Sequence, residues 1–161
     1  MRRAILVVLA LGAMLVPAAP AKADDSAVYG AYVSRDDDFT RLSKELRRGT
    51  RVWERSDYRR PGRMLRALRR IDRTCEELIP AIEREQASSD AGRRGKAEAI
   101  ASVRHLRGSM RALAGGVRAL TNGHRARARR LAGKSERLLK RSKAATRRAR
   151  AAFQEAGVQV K

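Results

Sequence analysis

The sequence predicts an all-α protein: an antiparallel helical bundle of three to four helices with a long basic C-terminal helix, preceded by a cleaved signal peptide. Three observations carry this. Beyond residue 35, apolar side chains recur at 3-4 spacing in four successive segments, and no stretch alternates as a strand does. Aromatics make up only 4% of the 161 residues, Cys occurs once and Pro four times, which speaks against β-sandwich, disulfide-framework and collagen-like folds. The breaks between segments are short, as antiparallel neighbours require.

Residues 1–23 read as an address. Arg2 and Arg3 precede an apolar run from Ala4 to Val16, and Ala21-Lys22-Ala23 supplies the small-x-small pattern of a signal-peptidase site, placing cleavage before Asp24. The apolar run is shorter than the roughly 20 residues that span a bilayer, and no Cys follows it to accept a lipid. The expected location is secreted or extracytoplasmic, in a bacterium. Cleavage would leave 138 residues with 35 basic and 17 acidic side chains, a charge of +18. Of all 38 basic residues 31 are Arg. GC-rich coding accounts for Arg over Lys, but not for the missing acids.

Residues 24–35 show no period and read as a flexible N-terminal segment, followed by a helical domain over 36–156. The first helix, about 36–57, opens on Ser34 to Asp38, whose side chains can cap it and favour the positive end of its dipole. Phe39, Leu42, Leu46 and Trp53 form its stripe. Pro61-Gly62 stops it. The second, about 62–86, has the clearest stripe: Met64, Leu68, Ile71, Cys75, Leu78 and Ile82. Pro80 lies inside and predicts a kink near Glu76 to Ile79. A loop from Ala87 to Gly95 then breaks the pattern.

The third helix, about 96–121, carries Val103, Leu106, Met110, Leu113, Val117 and Leu120. Thr121-Asn122-Gly123 is a turn candidate, because Asn-Gly readily takes positive φ; one continuous helix through it is the alternative. The fourth, about 124–156, keeps the rhythm with small residues: Ala128, Leu131, Ser135, Leu138, Ser142, Ala145, Ala149 and Ala152. At 1.5 Å per residue it would run about 50 Å, against roughly 33–39 Å for the others, so its far end is expected to protrude. Residues 157–161 form a tail. Composition argues the other way: Leu, Ile, Val and Phe total 24 of the 138 residues, about 17%, a level associated with disorder at high net charge. Periodicity outweighs this over 36–120. Over 124–161 the two arguments balance, and that helix is expected to depend on docking.

No catalytic constellation stands out. His105 and His124 have no ligand-type neighbours, and no H-E-x-x-H, G-x-S-x-G or Cys pair occurs. Gly92-Arg93-Arg94-Gly95-Lys96 has the wrong spacing for a phosphate loop and reads as a basic loop. Asp36-Asp37-Asp38 reads as helix capping, and Glu76, Glu77, Glu83 and Glu85 as a solvated face. Cys75, on the apolar stripe, reads as a buried, inert thiol. No cofactor or metal is expected, and an enzyme is disfavoured. Glu54-Arg55 after Trp53 excludes the W-x-G turn of two-helix secretion substrates, and no L-T-x-x-Q repeat of periplasmic hairpin chaperones is present.

Charge is the unusual feature. Residues 24–98 hold 18 basic and 15 acidic side chains, and residues 99–161 hold 17 and 2, a net +15. Arg104, Arg111 and Arg118 are seven apart, with about 10.5 Å between rungs of one stripe. Arg125, Arg127, Arg129, Arg130, Lys134, Arg137, Lys140, Arg141, Lys143, Arg147, Arg148 and Arg150 avoid the apolar seam of the fourth helix. Like charges four apart oppose a helix by a few tenths of a kcal/mol per pair, and an anion along that face would relieve them. These fifteen side chains are the expected polyanion-binding site. The candidate partners are a cell-wall phosphate polymer or an anionic membrane, with nucleic acid less favoured for want of interleaved aromatics. The alternative is a protein-interaction module or self-associating bundle, whose small-residue seam, with Ser102, Ser109 and Gly116 on the third helix, packs into a partner or a second copy.

Overall fold

A computed structural model describes residues 24–160 of the chain. Five helices follow in order: α1 (Asp25–Val33), α2 (Asp36–Arg55), α3 (Gly62–Arg84), α4 (Asp90–Thr121) and α5 (Arg125–Glu155). No strand occurs among the described residues, and the all-α bundle expected from the periodicity is what is found. The leader assigned to residues 1–23 lies outside the described residues. So does the last residue of the tail.

Successive long helices run antiparallel. Gly49 of α2 meets Met64 of α3, Arg35 at the start of α2 reaches Glu77 of α3, and Arg107 of α4 reaches Asp72 of α3. On the α4–α5 pair, Gly95 lies under Phe153 while Gly116 lies against Ala128 and Ala132. The reversal between α4 and α5 falls on Gly123, at φ +79°. There the His124 N–H returns to the Ala119 carbonyl at 2.8 Å, the glycine-dependent helix stop that Asn122-Gly123 encodes. The uninterrupted-helix alternative does not occur.

Three expectations need correction. First, the segment expected to be flexible contains α1, which is docked. Asp24 caps it through the Ser26 N–H at 2.8 Å, and Val28 and Tyr29 enter the core. Asp25, only 6% exposed, accepts hydrogen bonds from the Ser88 N–H at 2.8 Å and the Ser89 hydroxyl at 2.6 Å. A nine-residue helix shows little period, and the partners of its one buried carboxylate lie more than sixty residues away.

Second, α4 begins at Asp90, not near residue 96. Ser89 caps it through the Gly92 N–H at 2.9 Å. Gly92 and Gly95 sit inside the helix as contact points: a Cβ on Gly92 would fall 1.8 Å from Asp25 Oδ1, and one on Gly95 2.9 Å from the Phe153 ring. Third, α5 does not outrun its neighbour. With 32 residues in α4 and 31 in α5, both are about 47 Å long and match from tip to base. Pro80 lies within α3, which continues to Arg84.

The core joins all five helices, with Leu68, Leu78, Ile82, Val28, Val117 and Phe153 essentially inaccessible. Cys75 belongs to it, and burial together with the nearby Asp72 charge pushes its thiol up to about 12, so the thiolate nucleophile is suppressed. Between α4 and α5 the contact is made by small residues instead. Ser109 donates to the Ser135 carbonyl at 2.9 Å and Ser142 to the Ser102 carbonyl at 2.9 Å, while the Ser102 and Thr146 hydroxyls are 2.7 Å apart. No buried side-chain polar atom among the described residues lacks a partner.

A Cβ on Gly49 would lie 2.7 Å from the Met64 backbone nitrogen, whereas one on Gly30, inside α1, meets nothing within 4 Å. Gly49→Ala should therefore destabilise the protein by about 1–3 kcal/mol, and Gly30→Ala should stabilise it by up to about 1 kcal/mol, both read from urea unfolding. For Asp25, burial pushes the carboxyl up, but the hydrogen bonds from Ser89 and Ser88 outweigh it and hold the group below the usual range. Its contribution is then complete above the unfolded-state value of about 3.9 and is lost as pH falls through the lower folded value. The stability gap between the protein and Asp25→Asn should be constant above pH 5 and should narrow in acid. A gap that stays fixed down to pH 2 would contradict this.

Candidate polyanion-binding surface

The seam decides which way α5 faces. Ser135, Ser142, Ala145 and Ala149 are buried, and the residues between them on the far side of the helix turn outward. The fifteen basic positions expected from the sequence are all exposed, but they do not form one uniform set. Arg104 pairs with Glu83 at 3.0 Å and Arg111 with Asp72 at 2.8 Å, both across to α3. Arg148 pairs with Glu98 of α4 at 2.8 Å, and Lys140 with Glu136 one turn earlier at 3.1 Å.

The other eleven are Arg118, Arg125, Arg127, Arg129, Arg130, Lys134, Arg137, Arg141, Lys143, Arg147 and Arg150. None makes an ion pair among the described residues. Arg150 comes near Asp36, whose carboxyl is lifted by desolvation and partly drawn back by that guanidinium.

Of the acids expected to form a solvated face, Glu76, Glu77 and Glu83 are exposed, and each also meets an arginine, Glu77 meeting Arg35. Glu76 and Asp72 both hold Arg107, Glu83 holds Arg104, and Asp38 holds Arg35 and Arg41. Lys96, in the segment read as a basic loop, donates to the Glu83 and Glu85 carbonyls at 2.8 and 2.6 Å and so closes the C-terminal end of α3. His105 and His124 enter no cluster: no three His, Cys, Asp or Glu residues among the described residues are placed to share a metal ion. No helix among the described residues is long and apolar enough to cross a membrane.

The antiparallel fold re-sorts the charge by level along the bundle. One end is built from the C-terminal half of α2, the N-terminal half of α3, the C-terminal half of α4 and the N-terminal half of α5, since Gly49 meets Met64, Leu68 and Arg69 share a cleft with Met110 and Arg118, and Gly116 meets Ala128. Residues 46–72 and 108–138, which make up this end, contain 18 basic and 4 acidic side chains, a net charge of +14. The remaining described residues contain 16 basic and 13 acidic, net +3. The basic region is therefore an end of the bundle more than a half of the chain.

This brings in arginines that sequence reasoning missed. Residues 59–73 contain Arg59, Arg60, Arg63, Arg66, Arg69, Arg70 and Arg73 against the single acid Asp72. Arg66, Arg69, Arg70 and Arg73 line an open cleft of about 320 Å³, and of these only Arg70 has an ion-pair partner among the described residues, Glu45 at 3.0 Å. The signal was present as a local run. Summing over residues 24–98 hid it, because the acids of 36–38 and 76–85 fall at the opposite end.

The seam proposed for a partner is occupied within the chain. Ser102, Ser109 and Gly116 face α5, and the small residues of α5 face them. An apolar concavity lies near the α4–α5 turn, about 450 Å³ in volume, between Trp53 of α2 and the tip of the hairpin. Trp53 is held there by its Nε1–H donating to the Tyr58 carbonyl at 2.7 Å, with the Tyr58 ring edge-on at 5.0 Å. Asp57 and Tyr58 adopt φ of 47° and 63° to make that turn. No protein family, curated protein or solved structure matches this chain.

Proposed function

We propose that this chain is a secreted, non-enzymatic helical bundle that docks on a polyanionic surface, a cell-wall phosphate polymer or an anionic membrane, with the basic end of the bundle foremost. The observation that supports this most is that, of the eleven exposed cations on α4 and α5 without ion pairs among the described residues, seven (Arg118, Arg125, Arg127, Arg129, Arg130, Lys134 and Arg137) lie at that end, continued there by the arginines of α3. Unpaired like charges four residues apart, such as Arg125 and Arg129 or Arg137 and Arg141, oppose the helix that carries them. They contribute nothing to folding that would explain their number. Against a polyanion the same array gains from counterion release, and guanidinium forks match phosphate oxygens.

Export places wall polymers and membrane surfaces nearest. The apolar side of α5 is turned against α4, so a membrane would be met at its headgroups, without the inserted apolar face of an interfacial helix. No aromatic interrupts residues 124–150, so the α5 array itself offers no side chain for base stacking.

Retention on purified wall polymer, anionic vesicles and DNA at two salt concentrations tests the reading. Replacing Arg125, Arg127, Arg129 and Arg130 by Gln should weaken retention on every anion and leave the unfolding free energy within about 0.5 kcal/mol of the parent, or raise it. On duplex DNA, each lost phosphate contact should flatten the dependence of log affinity on log salt by roughly 0.9. Arg63→Gln with Arg66→Gln and Arg69→Gln should act in the same direction, and Arg84→Gln with Arg93→Gln at the other end should change little. Unchanged retention of the first variant at low salt would refute the proposal.

A further inference from the structure

We infer that the concavity beside Trp53 is a binding site for a single-chain anionic amphiphile, of the long-chain carboxylate or monoalkyl phosphate class, with its alkyl chain on the apolar floor and its head at Arg125 and Arg129. The floor is built by Trp53, Leu113, Val117 and Leu120. These come from two helices, α2 and α4, and α5 closes the third side with small residues, so the space is not filled by side chains. Its volume of about 450 Å³ lies at the lower end of the range for small-ligand sites, room for one alkyl chain.

The rim supplies the choice of head group. Arg125 and Arg129 both line the concavity, stand one helical turn apart on its α5 side, and have no ion-pair partner among the described residues. Two guanidiniums four residues apart repel each other, and a carboxylate or phosphate between them satisfies both with forked hydrogen bonds. An apolar floor without charge would accept any hydrophobe. A cationic rim without a floor would accept any anion. The two together select a molecule that carries both features, and they disfavour a cationic amphiphile of the same length.

This site goes beyond polyanion docking; it shares Arg125 and Arg129 with that surface, but the two are distinguishable because its affinity depends on chain length and docking does not. Trp53 is the single tryptophan of the chain, so its fluorescence reports the site directly. Titration of the purified protein with decyl phosphate below its micellar concentration should shift the emission saturably. Octyl phosphate should bind about tenfold more weakly, two methylenes being lost, and decyltrimethylammonium at least tenfold more weakly than decyl phosphate. Arg125→Gln with Arg129→Gln should lower decyl phosphate affinity at least tenfold yet keep the decyl-to-octyl ratio. Ala132, exposed at the edge of the concavity, gives an independent variant: Ala132→Phe should block decyl phosphate and spare retention on polyanions. Three outcomes would overturn the inference: inorganic phosphate equal to decyl phosphate, equal binding of the cationic and anionic amphiphiles, or a sedimenting dimer that Ala132→Phe turns into a monomer, which would make a second copy the occupant.

Discussion

α4 and α5 approach each other through serine, glycine and alanine, and this close seam governs the rest of the molecule. Ala99, Ser109, Ala145 and Ala149 are fully buried along it, and each serine hydroxyl in it is spent on a neighbouring carbonyl or hydroxyl. Small residues bring backbone against backbone, so dispersion contacts accumulate where there are few large side chains to bury. Low aliphatic content therefore does not leave α5 undocked. It also means the packed side of α5 is used up inside the chain, and the cationic side is what faces the medium.

The acids are distributed to match. Asp72, Glu76 and Glu83 of α3 are drawn to Arg104, Arg107 and Arg111 on the adjacent face of α4, and Glu98 holds Arg148 at the base of the hairpin. Exposed pairs of this kind add at most about 1 kcal/mol each, so they fix register more than they hold the fold together. With most acids committed away from the hairpin tip, the far end of the bundle keeps its positive field. Within a Debye length of about 8–10 Å at physiological salt, that field selects what can approach.

Much of this was legible in the residues. The 3-4 stripes of α3 and α4 and the Asn122-Gly123 turn are local properties, and each lies where its spacing puts it. The features that were not legible depend on distant partners. α1 is held by Asp25 against Ser88 and Ser89, which no window around residue 25 contains. Gly92 and Gly95 look like breakers, because a glycine that admits a neighbour and one that ends a helix are written alike; only Asp25 and Phe153 beside them distinguish the two. For the candidate surface, the α5 cations were readable from composition and spacing. The α3 arginines joined them only once antiparallel packing set residues 59–73 level with the hairpin tip, and Trp53 beside Arg125 and Arg129 needed three helices to meet.

Everything functional rests on α5 being a docked helix in the free protein, holding its cations in a fixed array before any ligand arrives. Native-state hydrogen exchange of the unliganded protein at physiological salt measures this directly. The account predicts that amides from Ala128 to Ala152 open with nearly the same free energy as those of α4, as one cooperative unit. Exchange of those amides at unfolded-chain rates, with α3 and α4 still protected, would contradict it.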